Sequence, residues 1–386
     1  MSSKLGAMEN LTAANTHFTL DLLAKINDVN PTGNLFFSPL SISAALAMVF
    51  LGARGECAAQ MAKVLHFDKT EKINSAFQAL NNEINKPQAT YKLKLANRLY
   101  GEKTFNFQKE FLADCLEFYN ADLVGADFIG AAAKIMQEVN EWVENQTEGK
   151  IKDILQQGSV NSMTRLILIN AIYFKGNWLK KFDEKNTEVM PFRINRNESK
   201  PVKMMYQMGK FPFNYIPEMK LKVLELSYIE EEVSMFVLLP DDIDDGSTGL
   251  KQLEQGLTLE KLQEWTKRQN MNTRTDVHVH LPKFKLEDDY ELNSILENMG
   301  MVDIFDGSRA DLSGMSGGPG LFLSQVLHKS FVEVNEEGTE AAAATAGIIA
   351  FCMFQEEHFK ADHPFLFFIQ HNLSKNILFF GRYSSP

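Results

Sequence analysis

A chain of 386 residues exceeds the usual single-domain size, so length alone points to two domains. Its composition, 45% hydrophobic and 23% charged, is that of a soluble globular protein. The net charge of −11 argues against a nucleic-acid or anionic-membrane partner, either of which would call for a basic face.

In chain order, the first part reads as helical. Phe18, Leu22, Leu23 and Ile26 recur at helical spacing. Pro31 to Asn34 is a turn, then Leu35 to Ser38 a short strand entering an apolar helix from about Pro39 to Leu51, with Gly52 just past its end. Further helices are expected near 56–65, 70–86 and 108–119, with an alternating strand from Tyr91 to Tyr100. Ile135, Val139, Trp142 and Val143 mark another amphipathic helix, ended by E-G-K at 148–150.

The middle of the chain turns to strands. Arg165 to Phe174 is a continuous apolar run with β-branched residues, the pattern of a strand buried on both faces. Met204 to Pro240 carries several strands, and Leu253, Leu257 and Leu262 return to helix. Val277 to Leu286 alternates as one strand, and Leu292, Ile295, Leu296 and Met299 form one face of a helix closed by Gly300. Phe365 to Ile369 and Ile377 to Phe380 read as a C-terminal hairpin. Helices gather early and strands late, with no repeat and no linker, which predicts an α+β fold of mostly antiparallel sheets in one large domain, against the length prior.

Three cysteines, Cys57, Cys115 and Cys352, make no disulfide framework and fit a reducing compartment. The N-terminus M-S-S-K-L-G-A-M-E-N lacks the apolar core of a signal peptide, and no run reaches the length of a membrane span. These features read as cytoplasmic.

Enzyme signals are weak. Gly314-Met-Ser-Gly-Gly-Pro319 is one residue from a trypsin-like nucleophile segment and fits the loose G-x-S-x-G pattern. A nucleophile needs a base and a group to orient it, and no histidine here sits in a matching element. Ala310 to Gly314 reads as a loop where a hydrolase would need a strand. His278 and His280 share one strand face, but a zinc site needs three or four converging ligands, so an ordinary strand pair is the plainer reading and no metal is expected. Lys175, Lys180 and Lys181 are followed by Asp183 and Glu184, which reads as a solvated mixed face. Neither a phosphate-binding loop nor a dinucleotide fingerprint is present, so no cofactor is expected.

One stretch stands out. Glu336 to Met353 reads E-E-G-T-E-A-A-A-A-T-A-G-I-I-A-F-C-M, almost all small residues in its first half. An alanine run is usually an exposed helix. A proline-free run of small residues can also enter a sheet as a central strand, since every N–H remains available. As a strand it would place Thr339, Ala341, Ala343 and Thr345 on one face. The reading is a loop that can become a strand.

This stretch resembles the hinge and reactive centre of a serpin, and Phe359 to Ile369, F-K-A-D-H-P-F-L-F-F-I, fits the C-terminal serpin signature at all eleven positions. The resemblance runs from about Met8 to Pro386 and is to the ovalbumin-type (clade B) branch; residues 1–7 extend beyond the family's usual start and are read as an alternative start or an added segment. It implies a single domain over 1–386 with three sheets, eight or nine helices and an exposed reactive-centre loop over 336–358. It also implies a suicide inhibitor of serine proteases, not an enzyme, acting as a monomer. The family's hinge carries over to Glu336, Glu337, Gly338, Thr339, Glu340, Ala341, Ala342, Ala343, Ala344 and Thr345. Counting from Glu336 places the reactive bond at Cys352–Met353. Cysteine behaves there as a small hydrophobe and suits an elastase-like pocket. Phe351, one position earlier, suits a chymotrypsin-like pocket, so two target classes stay open. The sheet-opening region of the family carries over to Ser38, Ser41, Asn97, Asn170 and His328, with Trp178 at its top and Lys283 as a weak surface partner of Glu336. Some members of this branch leave the cell without a cleaved signal, so export by that route is a second expectation. The rival expectation is a serpin that stores, carries or chaperones. Such members carry bulky, charged or proline residues in the hinge, whereas Gly338, Thr339 and Ala341 to Thr345 match the inhibitory pattern.

Overall fold

The computed structural model describes residues 2–70, 72–337 and 356–386. Among them the helices are α1 (Ser2–Val29), α2 (Pro39–Phe50), α3 (Gly55–Val64), α4 (Ile73–Ile84), α5 (Lys109–Tyr119), α6 (Phe128–Gln146), α7 (Lys251–Gly256), α8 (Leu259–Thr266), α9 (Asn293–Met299) and the single turn α10 (Ser313–Ser316). The strands are β1 (Leu35–Phe37), β2 (Lys92–Glu102), β3 (Asp122–Ala126), β4 (Leu166–Lys175), β5 (Glu188–Arg193), β6 (Ser199–Lys210), β7 (Phe213–Ile216), β8 (Leu221–Ser227), β9 (Val233–Pro240), β10 (Asp276–Pro282), β11 (Phe284–Glu291), β12 (Gln325–Val334), β13 (Glu356–Lys360), β14 (Phe365–His371) and β15 (Asn376–Tyr383).

These strands form three sheets, ordered β1-β15-β14-β9-β8-β7, β13-β10-β6-β5 and β11-β12-β4-β2-β3. Among the described residues three pairings are parallel, β12 with β4, β2 with β3 and β10 with β13, and the rest antiparallel. The α+β architecture with three mostly antiparallel sheets is therefore the one the sequence predicts; the one-turn α10 brings the α-helices among the described residues to ten.

The five-stranded sheet is packed on both faces. Along β4, Leu166, Leu168, Ile172 and Phe174 join the main core with α1, α2 and the C-terminal hairpin. The alternate residues Ile167, Ile169, Ala171 and Tyr173 pack with α6 residues Ile135, Val139 and Val143. Two apolar faces explain why β4 reads as an apolar run, interrupted before its final Lys175 only by Asn170. Under the inner face lies α2, every residue of which from Pro39 to Val49 is buried. Its start is set by Ser38, an extended N-cap with Pro39 behind it.

Two elements differ from expectation. The stretch Val277 to Leu286 is not one strand: β10 belongs to the four-stranded sheet and β11 to the five-stranded one, with Lys283 at the crossing. The buried positions Val277, Val279 and Leu281 are odd, whereas Phe284 and Leu286 are even, so the alternation slips by one at Pro282–Lys283. Likewise Leu253 to Leu262 is two helices, because Leu257 is extended and Thr258 opens α8, accepting the Lys261 N–H at 3.1 Å.

Candidate functional site

The parallel seam between β4 and β12 is flanked on each side by an antiparallel pairing, β11·β12 and β2·β4, and it carries a buried polar cluster. Register places His328 opposite Asn170. The His328 Nδ1 lies 2.7 Å from Asn170 Oδ1. Its Nε2 accepts the Ser38 N–H at 3.0 Å, so the imidazole is neutral with its proton on Nδ1. Burial with no facing charge pushes the His328 pKa down to about 3. Asn170 Nδ2 lies 2.7 Å from Ser41 Oγ, which is also 2.9 Å from Asn170 Oδ1. Ser38 Oγ donates to the Leu378 carbonyl at 2.6 Å, tying the cluster to the C-terminal hairpin. Ser38, Ser41, Asn170 and His328 are all buried. Four of the five expected seam residues thus meet through hydrogen bonds. Asn97, opposite Asn170 in the β2·β4 ladder, does not join them, and its Oδ1 is buried without a partner among the described residues.

At the upper end of the seam, where β12 leaves the sheet, Asn335 to Glu337 are held from several sides. Trp178 Nε1 donates to the Asn335 carbonyl at 2.8 Å, and its backbone N–H to the Glu337 carbonyl at 3.1 Å. The Phe182 N–H donates to the Glu336 carbonyl at 3.2 Å. The Trp178 indole stacks on Tyr228 with centroids 4.4 Å apart. Lys283 Nζ sits 2.9 Å from Glu336 Oε2, and Thr187 Oγ1 donates to Oε1 at 2.9 Å. Lys175 Nζ pairs with Glu337 at 3.1 Å. Lys175 ends β4, Thr187 and Lys283 flank strands of the four-stranded sheet, and Tyr228 follows β8 of the six-stranded sheet. All three sheets therefore meet at this base.

The Glu336 pair is not the surface contact expected from sequence. The Glu336 side chain is only 5% exposed, while that of Lys283 is 37% exposed. Burial alone would push the Glu336 carboxyl up; hydrogen bonds from Lys283 and Thr187 and from its own backbone more than offset this and hold it below the usual value. Lys175, read as part of a solvated face, is half-exposed but engaged, and its pKa is raised, first by the hydrogen bond to Glu337. Thr187, Phe182 and Tyr228 were missed from the sequence. No spacing links them to Glu336, about 150 residues away for the first two, so only the folded chain brings them together.

Cys352 and Met353, the alternative Phe351, and the hinge positions Gly338, Thr339, Glu340, Ala341 to Ala344 and Thr345 lie outside the described residues. Their flanks are placed: β12 delivers the chain at Glu337 beside the seam, and it returns at Glu356 as the outer strand of a different sheet. The serine of the G-x-S-x-G match is in the one-turn α10, and its Oγ donates to the Gly318 carbonyl at 3.5 Å, so it does not follow a strand as a hydrolase nucleophile would.

The sequence profile described as Serpin (serine protease inhibitor) matches residues 13–386. A leukocyte elastase inhibitor from Xenopus laevis is 60% identical over 380 residues, covering 98% of this chain and 100% of that protein. The crystal structure of uncleaved ovalbumin superposes with a TM-score of 0.92 at 40% identity, over 98% of this chain and 100% of the other. A cleaved, loop-inserted ovalbumin mutant, covered to the same extents, gives 0.86 at 38% identity. The chain belongs to the serpin family and is a serine protease inhibitor, not an enzyme.

Proposed function

We propose that this protein is an irreversible suicide inhibitor of elastase-like and chymotrypsin-like serine proteases, with Cys352–Met353 as the reactive bond and Phe351 as the alternative bait residue. The observation that carries this reading is the direct parallel pairing of β12 with β4. A segment leaving the end of β12 and folding back beside it runs antiparallel to it. Entering the seam, that segment would replace one parallel ladder with two antiparallel ones, which are slightly more stable per residue. The small, proline-free hinge Gly338 to Thr345 suits such an entry.

In this mechanism the protease serine attacks the Cys352 carbonyl, the peptide nitrogen of Met353 leaves as an amine, and an acyl-enzyme forms. Cleavage frees the loop from its C-terminal tether. Insertion of about fourteen residues at roughly 3.3 Å each carries the bound protease about 45 Å. Its active site is distorted before water completes hydrolysis. The native state is thus held by kinetics, with stability in reserve. The seam cluster and the Trp178–Glu336 base are the groups that exchange partners as the sheet opens. The elastase target rests on the name of the 60%-identical relative and on the small apolar Cys352. We read the chain as one domain acting as a monomer in the cytoplasm, with export lacking a cleaved signal as a second route; among the described residues no helix is long and apolar enough to cross a membrane.

The test is denaturing electrophoresis after mixing with neutrophil elastase and, separately, chymotrypsin. A band near the summed mass that survives boiling in detergent supports the acyl-enzyme trap. The released peptide begins at Met353 if Cys352 is the bait and at Cys352 if Phe351 is. Complete cleavage without such a band overturns the trap and favours a storage or carrier role.

A further inference from the structure

The edge of the four-stranded sheet carries a cluster that the reactive-loop mechanism does not use. In the parallel β10·β13 ladder His278 lies opposite His358, and Asp276 opposite Glu356. Alternation places all four on one face. The His278 and His358 imidazoles stack with centroids 4.6 Å apart and planes 8° from parallel. Glu356 Oε2 sits 2.8 Å from His278 Nε2. One donor atom from each of His278, Glu356 and His358 lies within 4.8 Å of the other two. Asp276 is engaged elsewhere, its Oδ1 3.4 Å from Lys210 Nζ.

We propose that His278, Glu356 and His358 form a binding site for a zinc-class divalent cation at the point where the chain returns from the reactive loop. Two imidazoles and one carboxylate are a donor set suited to Zn2+, with a fourth position left for water; Ca2+ and Mg2+ prefer all-oxygen sites. The orientation of His278 is already set from behind, because Tyr206 Oη lies 2.7 Å from its Nδ1. A ligand histidine held through its other nitrogen is the usual outer-shell arrangement. Coordination through His278 Nε2 places that ring's proton on Nδ1, where Tyr206 Oη can accept it. Glu356 and His358 are exposed and free to close on bonds of about 2.0–2.2 Å. His280, on the same strand face, is not part of the cluster; its ring packs on Tyr206 with centroids 4.8 Å apart.

The consequence is mechanical. β13 is an outer strand whose neighbour in the sheet is β10. A cation bridging residues of both strands staples the C-terminal anchor of the loop to the body of the protein, and a ligand that binds only the paired state stabilises that state.

The test is calorimetric titration of the full-length protein with zinc chloride in a non-chelating buffer. The expected result is one saturable site, weakened at least tenfold in H358A and in E356Q, lost in H278A, and unchanged in C352S, which removes the loop thiol as a rival ligand. Zinc should raise the melting temperature of the wild type and not of H358A, whose zinc-free melting temperature should match the wild type because His358 is exposed. On the wild type alone, zinc should shift the ring resonances of two of the eight histidines. Undiminished binding in the H358A/E356Q double variant, loss of binding in C352S, or no saturable binding to the wild type would each overturn the site.

Discussion

His328 joins the two strands that the proposed insertion would part: its Nδ1 lies 2.7 Å from Asn170 Oδ1, directly across the parallel β4·β12 ladder. Burial holds the imidazole pKa at about 3, against about 6.5 in an unfolded chain. The folded value is the lower one, so the unfolded state takes up the proton first as pH falls. The stabilisation is complete above about pH 6.5 and is lost progressively toward pH 3. Between pH 7.5 and pH 5 the native state should lose about 2 kcal/mol from this residue. H328N should flatten that part of the profile. It should also cost about 1–3 kcal/mol at pH 7.5, since the Ser38 N–H and Asn170 Oδ1 lose their partner. Urea unfolding of both proteins across this pH range reads both effects; parallel profiles would remove His328 as the titrating group.

The Lys283–Glu336 pair gives the second prediction. Removing one partner of a fully buried pair costs about 3–5 kcal/mol. The Lys283 ammonium is partly exposed, so water offsets part of that loss, and K283M should cost about 1–2 kcal/mol. The Glu336 carboxyl lies below its usual range, so its contribution is present above the unfolded-chain value and lost as pH falls through the lower folded value. E336Q should remove that acid-side dependence. A double-mutant cycle by urea unfolding isolates the coupling, and additive single effects would mean that the 2.9 Å contact contributes nothing.

Much of the architecture was legible because single residues forced it. The apolar runs of β4, β14 and β15 and the capped helix after Ser38 are where the sequence places them. The hinge and signature motifs pointed to the family, whose pattern supplied the Glu336–Lys283 pair; that Asn170 meets His328 is visible only in the β4·β12 register. What was not legible depends on register between distant strands. His358 is 80 positions from His278 and becomes its neighbour only through the β10·β13 ladder. Lys175 looked solvated because the charges near it in sequence, Asp183 and Glu184, are not the ones near it in space; Glu337 is. The crossing at Lys283 was readable in principle, since the buried positions change phase there, but Pro282 beside an otherwise alternating run hid the slip.

The hinge supplies the third prediction. On insertion Thr339 must pass into a packed sheet interior, where an unpaired guanidinium is costly. T339R should slow insertion until deacylation wins, converting inhibitor into substrate. The moles of inhibitor consumed per mole of elastase inactivated should rise at least tenfold, with the detergent-stable band replaced by cleaved product. Unchanged stoichiometry would eliminate insertion as the trapping step.

The reactive bond supplies the fourth. A small apolar residue at position 352 fills a shallow apolar pocket, whereas arginine needs a deep pocket ending in a carboxylate. Apolar pockets discriminate a methylene or two by only about 1–3 kcal/mol, but a pocket with no countercharge rejects a buried guanidinium far more strongly. C352R should therefore lose elastase inhibition by at least a hundredfold and acquire inhibition of trypsin. Chymotrypsin separates the two registers, because cleavage after Phe351 leaves position 352 on the far side of the bond. If chymotrypsin is still trapped by C352R while elastase is not, one loop presents two baits in adjacent registers. If elastase is still trapped, Cys352 is not the residue in its pocket.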